Sequence, residues 1–139
     1  PGAGKSTFFE QRFSRTHFHS SKDDLRRRRL PLGRQLELLR GRLAAQQSVV
    51  VDDTNLTREQ RAGLIAEGQR LGARVVAYFF DCQVGECVAR NRERSGRARI
   101  PDPAIFAGAK RLQPPSSDEG FDEIRVVRVL PGGDFELSQ

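Results

Sequence analysis

The chain contains too little cysteine for a disulfide framework. Its two cysteines, Cys82 and Cys87, have neither the spacing of a redox C-x-x-C pair nor the further cysteines that a zinc site would need. We therefore expect reduced, partly buried thiols in a cytoplasmic protein. Long apolar segments are absent too, because the longest run, Val75 to Phe80, is far shorter than the roughly 20 residues that cross a membrane. The sequence thus predicts no membrane partner.

Lysine is scarce, with only three residues, so the net charge of +6 depends on an excess of arginine. Arginine forms paired hydrogen bonds with phosphate, and a basic surface suits nucleotides, nucleic acids or phosphorylated small molecules. A genome rich in G and C would produce the same excess without a functional cause. At 139 residues the chain is expected to form one domain with a single core.

The first residues read as the distal part of a phosphate-binding loop, G-x-x-x-x-G-K-[ST]. Small residues allow backbone N–H groups to approach phosphate oxygens closely, and a helix that begins near Lys5 directs its positive end to the same place. A capped turn with an exposed lysine is the plainer alternative. The nucleotide-binding residues predicted here are Gly2, Ala3, Gly4, Lys5, Ser6 and Thr7.

Within this loop, Lys5 would contact the β- and γ-phosphates, and Thr7 would lie near the α-phosphate. The hydroxyl of Ser6 can bind Mg²⁺. The first glycine of the motif and the buried strand that usually precedes it would stand before Pro1. We therefore expect a domain that lacks about ten residues here, a short strand and the turn.

Apolar periodicity alternates between helical and extended along the chain, which predicts an α/β fold with a parallel sheet covered by helices on both faces. Residues 1–139 would form this single domain. A capping box from Thr57 to Gln60 opens one helix, which Gly72 ends. The turn 131–134 would lead into a short tail around Phe135. Predicted helices cover 5–12, 32–45, 57–71, 84–94 and 101–112, and predicted strands cover 16–20, 48–52, 74–80 and 124–130.

Two carboxylates, Asp52 and Asp53, directly follow an apolar run of three valines. They are expected at the carboxyl end of a buried parallel strand, where α/β proteins bind ligands. Either can hold Mg²⁺ or its water shell, and we expect one of the pair to satisfy local backbone groups instead. His17 and His19 share one face of the preceding strand, but no third ligand for a metal accompanies them.

Asp23 follows the first predicted strand and is the candidate general base, which would take the proton of an acceptor hydroxyl. Arg26 lies on the same helical face and could grip an anionic group of the acceptor. Capping of the helix is the alternative role for Asp23 or Asp24. The basic run 26–29 is expected to form a mostly solvated face.

Arg90 and Arg94 stand four residues apart on a predicted helix, so both can clamp the β- and γ-phosphates as charge develops there. Arg97 and Arg99 follow in a connector rich in glycine and arginine. The segment of about 90–101 could therefore close as a lid.

In combination, these motifs resemble the kinase domain of phage and bacterial 5′-hydroxyl polynucleotide kinases, including their bacterial single-domain relatives. The resemblance covers nearly the whole chain and implies a kinase that uses ATP and Mg²⁺ on the 5′-hydroxyl end of a nucleic acid. It also implies the strand order 2-3-1-4-5, with the missing first strand in the middle. The segments that carry the resemblance are 4–7, 22–26, 51–55, 90–94, 100–101 and 119–122.

The resemblance also implies a role for individual residues. The family acid falls at either Asp52 or Asp53. The remaining roles are the loop lysine and serine for Lys5 and Ser6, the general base for Asp23, a contact to an acceptor phosphate for Arg26, and a contact to the donor phosphates for Arg94 with Arg90 beside it.

Three other functions remain open at this point. A kinase for a small metabolite, an antibiotic or a nucleotide-sugar would use the same donor site on another hydroxylated acceptor. A nucleotide-binding switch or toxin-like regulator would bind ATP without acceptor-stimulated turnover. A degenerate ATP-binding fold that serves as an interaction module would have no use for Lys5, Asp23, Asp53 and Arg94 together.

Overall fold

The computed structural model of this protein describes residues 5–81, 84–92 and 101–139, and within them helices alternate with short strands. None of these helices is both long and apolar enough to pass through a bilayer. The helices are α1 (Lys5–Arg12), α2 (Lys22–Arg27), α3 (Arg34–Ala44), α4 (Arg58–Arg70), α5 (Val84–Arg92) and α6 (Asp102–Arg111). The strands are β1 (His17–Ser20), β2 (Ser48–Val51), β3 (Val76–Phe80), β4 (Glu123–Val129) and β5 (Phe135–Ser138).

The strands form two small sheets, whereas the sequence predicted one parallel sheet. In the first sheet β1 and β2 are parallel, with Phe18 opposite Val49. In the second, β4 lies between β3 and β5, parallel to β3 and antiparallel to β5. The predicted tail around Phe135 is wrong, because that residue begins β5. Gly132 and Gly133 have φ angles of +94° and +93°, which allow the tight reversal that brings β5 back along β4.

An apolar cavity of about 860 Å³ is lined by residues of both β2 and β3. Val49 and Val51 line it from β2, and Tyr78 and Phe80 line it from β3. Among the described strands, β2 pairs only with β1, and β3 pairs with β4 alone. In the predicted order 2-3-1-4-5, strand 1 is the strand expected before the loop, so β1, β2, β3 and β4 correspond to strands 2, 3, 4 and 5. The parallel pairs β1–β2 and β3–β4 both occur in that order, while the complete order stays a prediction.

Helix α1 joins the two sheets through its aromatic side chains, and its predicted range is confirmed. Phe8 is 3% exposed, and its ring packs against Tyr78 and Phe80 of β3 and Phe135 of β5 at centroid distances of 5.1 to 5.5 Å. Phe9 lies instead 4.5 Å from the ring of His19 on β1. This packing fixes the first turn of α1 between the two sheets.

Helices α5 and α6 form a second apolar cluster. Cys87 and Val88 of α5 pack with Ile105 of α6, all three buried, and Phe80 contacts them from β3. Cys87 is a free, buried thiol, in line with the sequence expectation, while Cys82 lies outside the described residues.

A buried ion pair fastens helix α4 to the segment before β4. The guanidinium of Arg61 donates to both carboxylate oxygens of Glu119 at 2.8 and 2.9 Å, and the two side chains are 9% and 4% exposed. The same guanidinium donates to the carbonyl oxygens of Asn55 and Leu56 at 3.0 and 3.2 Å. The chain that leaves β2 is therefore held by α4. The capping box from Thr57 to Gln60 is confirmed at the start of this helix.

We expect the substitution Arg61→Met to lower the free energy of unfolding by about 3 kcal/mol, because it leaves the Glu119 carboxylate buried without its partner. Urea unfolding followed by circular dichroism measures the change. Arg58→Met is the matched control on the same helix, since Arg58 pairs with Asp118 at the surface and should matter little. Equal losses in the two variants would contradict the role given to the buried pair.

Glu67 ties α3 to α4 through two arginines. Its carboxylate accepts hydrogen bonds from Arg70 of α4 and from Arg40 of α3, the latter at 2.6 Å. These two contacts lower the pKa of Glu67 from its ordinary value near 4.5 to about 2. Arginine partners likewise lower the pKa of Glu123 to about 2.

We expect the protein to lose stability as the pH falls from about 5 to 2. A carboxyl whose pKa is lower in the folded state than in the unfolded state binds a proton more readily when the chain is unfolded. Its contribution to the free energy of unfolding is therefore complete above the unfolded-state pKa and is lost as the pH falls towards the folded-state pKa. Glu67→Gln should make the pH dependence of the urea midpoint shallower, whereas Glu59→Gln, at an exposed position of α4, should leave it unchanged. A Glu67→Gln variant as pH-sensitive as the parent chain would refute this attribution.

Candidate functional site

The candidate site lies at the shared carboxyl edge of β1 and β2. The two strands are parallel and in register, with Ser20 opposite Val51, so the residues that follow them emerge side by side. Ser21 and Lys22 continue from β1, and two carboxylates continue from β2. Ligands of α/β proteins bind at this edge.

Asp52 faces the first turn of α1. Its Oδ1 atom lies 3.7 Å from Lys5 Nζ, and its Oδ2 atom lies 3.0 Å from His19 Nε2. The Asp52 side chain is 16% exposed, and its backbone N–H donates to the Ser20 carbonyl at 2.8 Å. The carboxylate is therefore held between a lysine and a histidine at a partly open position.

The side chain of Asp53 forms hydrogen bonds with α2 and α3 instead. Its Oδ1 atom accepts the backbone N–H of Lys22 at 2.8 Å, and its Oδ2 atom accepts the side-chain amide of Gln35 at 2.8 Å. Its carbonyl oxygen accepts a hydrogen bond from Lys5 Nζ at 3.0 Å. The Asp53 carboxylate thus bonds to α2 and α3 rather than to the local backbone groups that the sequence predicted for one member of the pair.

Gln35 is a buried side chain that the sequence analysis missed. It is 5% exposed and also donates to the hydroxyl of Ser20, itself 5% exposed, at 3.3 Å. The signal was a glutamine four residues before Leu39 on the buried face of α3, where an apolar residue is the usual choice. The partnership of His19 with Asp52 was also not anticipated.

Asp23 and Arg26 lie together on the first turns of α2, as predicted, and pair with each other at 2.9 Å. Both side chains are exposed, at 86% and 59%. The alternative that Asp23 or Asp24 caps the helix is wrong, because the Ser21 hydroxyl accepts the Asp24 N–H at 3.0 Å. The Asp23 carboxylate is therefore presented to solvent beside a single arginine.

The remaining predicted residues divide into two groups. Ser6 and Thr7 follow Lys5 in the first turn of α1, and both are exposed. Of Arg90 only the backbone, within α5, is described. The predicted residues that lie outside the described ranges are Gly2, Ala3, Gly4, Arg94, Arg97 and Arg99, with most of the predicted lid.

The donor atoms at this edge suit a magnesium nucleotide. Carboxylate and hydroxyl oxygens are the ligands that Mg²⁺ prefers, and this ion is commonly held by one or two carboxylates together with substrate phosphates. Lys5 and the N-terminus of α1 add positive charge for those phosphates. Within the described ranges, no group of three or more His, Cys, Asp or Glu side chains is arranged to hold a metal, and His17 contacts Thr16 and Phe13.

We expect Gln35→Leu to lower the free energy of unfolding by about 1–3 kcal/mol, because one oxygen of Asp53 would lose its hydrogen-bond donor in a poorly solvated position. Thermal and urea unfolding measure the loss. Gln47→Leu is the control, since Gln47 bonds only to Arg42 at the surface among the described residues. If both variants unfold at the same urea concentration, the Gln35 amide does not support the site.

Over residues 1–115, the chain matches the family AAA_33, which is described as an AAA domain. The match covers 115 of the 139 residues and includes Lys5, Asp23, Asp52 and Asp53. The family has a P-loop NTPase-like fold, its members generally bind ATP and Mg²⁺, and it includes kinases as well as other NTPases. Because this match covers well over half of the chain, the chain belongs to the AAA_33 family of P-loop NTPase-like domains.

Proposed function

We propose that the protein is an ATP- and Mg²⁺-dependent kinase that transfers the γ-phosphoryl group of ATP to the 5′-hydroxyl end of a polynucleotide. One observation carries the proposal. The Asp53 carbonyl accepts from Lys5 Nζ while its carboxylate accepts from the Lys22 N–H, so one residue joins the donor lysine to the helix that bears Asp23. Phosphoryl transfer depends mainly on such positioning of donor and acceptor.

On the donor side, backbone N–H groups of Gly2 to Thr7 would surround the nucleotide phosphates. The ammonium group of Lys5, fixed by the packing of α1, would bind the β- and γ-phosphates. Arg90 and Arg94 would balance the charge that develops during transfer, as the resemblance to polynucleotide kinases implies.

Ser6 and Asp52 are the residues that we propose for Mg²⁺. Asp52 fits this role better than Asp53, because both carboxylate oxygens of Asp53 already accept hydrogen bonds that fix α2 and α3. The Asp52 carboxylate instead faces Lys5, and His19 holds its orientation. Bound there, the ion would neutralise charge on the β- and γ-phosphates.

On the acceptor side, Asp23 is the general base. It takes the proton of the 5′-hydroxyl as that oxygen forms a bond to the γ-phosphorus, and the bond from phosphorus to the β–γ bridging oxygen breaks to release ADP. Arg26 binds the first phosphate of the acceptor. Its ion pair with Asp23 is exposed and weak, so an acceptor phosphate can draw Arg26 away and leave the carboxylate free to accept the proton.

The proposal includes the complete strand order 2-3-1-4-5, in which the strand before the loop lies between β2 and β3. The apolar cavity that both strands line supports this order, since a buried strand of β-branched residues would fill it.

We expect labelled phosphate from γ-labelled ATP to appear on 5′-hydroxyl DNA or RNA oligonucleotides only when Mg²⁺ is present. Asp23→Ala should lower the transfer rate by a factor on the order of 10²–10⁴ with ATP binding nearly intact, because the general base is lost. Lys5→Ala should weaken both ATP binding and transfer. Glu59→Ala is the control, since Glu59 is an exposed carboxylate on α4, away from the residues of the proposed site.

If Asp23→Ala transfers phosphate at the wild-type rate, Asp23 is not the general base. Label that appears only in a pool of small hydroxylated metabolites would keep the kinase and change its acceptor. ATP binding without transfer to any acceptor would favour a regulatory nucleotide-binding protein over an enzyme.

A further inference from the structure

We propose that Arg27, Arg28 and Arg29 form a second binding surface, the arginine corner, which holds the phosphodiester backbone of the acceptor strand beyond its 5′ end. The inference rests on the proposed polynucleotide kinase activity and extends it from one acceptor phosphate to several. The corner lies at the C-terminal end of α2, the helix whose first turn carries Asp23.

The backbone of the corner is fixed although its side chains are exposed. The N–H of Arg29 donates to the Arg26 carbonyl at 3.0 Å, and the N–H of Leu30 donates to the Leu25 carbonyl at 2.9 Å. Leu25 is 3% exposed and anchors the helix in the core, and Arg29 closes the turn with a φ of +58°. The arginines therefore project from a defined turn.

The arginine corner lies in a segment where basic residues outnumber acidic ones. Segment 22–34 holds six basic and two acidic residues, which makes it the source of most of the net charge of +6. One carboxylate, Asp24, lies 3.5 Å from Arg27 and 3.7 Å from Arg28, so it is shared by two guanidinium groups. Arg29 makes no ion pair with any described residue. Exposed pairs of this kind are weak, and the arginines can exchange them for phosphates.

The distance along α2 matches the spacing of nucleotides. Arg28 stands five residues after Asp23, which corresponds to about 7.5 Å along a helix. Successive phosphates of a stacked strand are about 3.4 Å apart along its axis, so the corner lies roughly two nucleotides from the reacting hydroxyl. Arg26, between them, is placed for the first phosphate. A mononucleotide acceptor would not reach the corner, whereas an oligonucleotide would.

The test compares two double variants that change the net charge equally. Arg28→Gln with Arg29→Gln removes two charges from the corner, and Lys110→Gln with Arg111→Gln removes two exposed charges from the end of α6. Fluorescence anisotropy measures binding of 5′-hydroxyl DNA and RNA oligonucleotides over a range of salt concentrations. Steady-state transfer assays measure KM and kcat for a 3′-phosphorylated mononucleoside and for an oligonucleotide of roughly ten nucleotides.

We expect the corner variant to bind oligonucleotides about tenfold more weakly, with a slope of log K against log salt reduced by about 1.4, since each lost phosphate contact accounts for about 0.7. KM for the oligonucleotide should rise at unchanged kcat, and KM for the mononucleoside should stay the same. DNA and RNA should respond alike, because the phosphodiester chain is common to both. The Lys110 and Arg111 variant should match the parent chain.

If both double variants lose the same affinity for oligonucleotides, the proposal that the arginine corner binds the acceptor strand is refuted, because the effect would then reflect net charge alone. If transfer is intact but KM is the same for short and long acceptors, the corner is wrong and the kinase proposal stands. If no oligonucleotide binds and none is phosphorylated, the polynucleotide proposal fails and the corner with it. Thermal unfolding at the parent temperature confirms that a weakened variant is folded.

Discussion

The carboxylate of Asp53 constrains the arrangement of the site. A carboxylate in a poorly solvated position requires hydrogen-bond donors, and the backbone of Lys22 and the amide of Gln35 provide them. The starts of α2 and α3 must therefore meet at the tip of β2. Asp52 contacts Lys5 and His19 instead, with its Oδ1 atom 3.7 Å from Lys5 Nζ and its Oδ2 atom 3.0 Å from His19 Nε2. Two adjacent residues of one chemical type thereby have different hydrogen-bond and ion-pair partners.

The position of Lys5 depends in turn on the packing of α1. Phe8 and Phe9 are adjacent and contact different sheets, so a shift of the helix along its axis would disturb both. Core packing tolerates such shifts poorly. The ammonium group of Lys5 is consequently held near the strand-end carboxylates, 3.0 Å from the Asp53 carbonyl oxygen and 3.7 Å from Asp52 Oδ1.

Local sequence signals predicted most helices and strands, and they placed Asp52 and Asp53 at the end of β2. Contacts between segments distant in the sequence could not be predicted from such signals. The box from Thr57 to Gln60 and the valine run before Asp52 had clear signatures, and their helix and strand are present. Asp23 and Asp24 were the capping candidates that the sequence offered for α2, but the backbone geometry selects Ser21. Asp52 and Asp53 were indistinguishable because their roles depend on partners in β1, α1 and α3. The strand β5 was missed although two glycines preceded it.

The buried pair of Arg61 and Glu119 bears on where this domain ends. The family match stops at residue 115, yet Glu119 lies beyond it and supplies the counter-charge for an arginine inside it. Strand β4, also beyond the match, is the partner of β3. The packed interior of this chain thus extends past the residues that the family model matches, and a chain cut at residue 115 would leave Arg61 without its counter-charge and β3 without its strand partner.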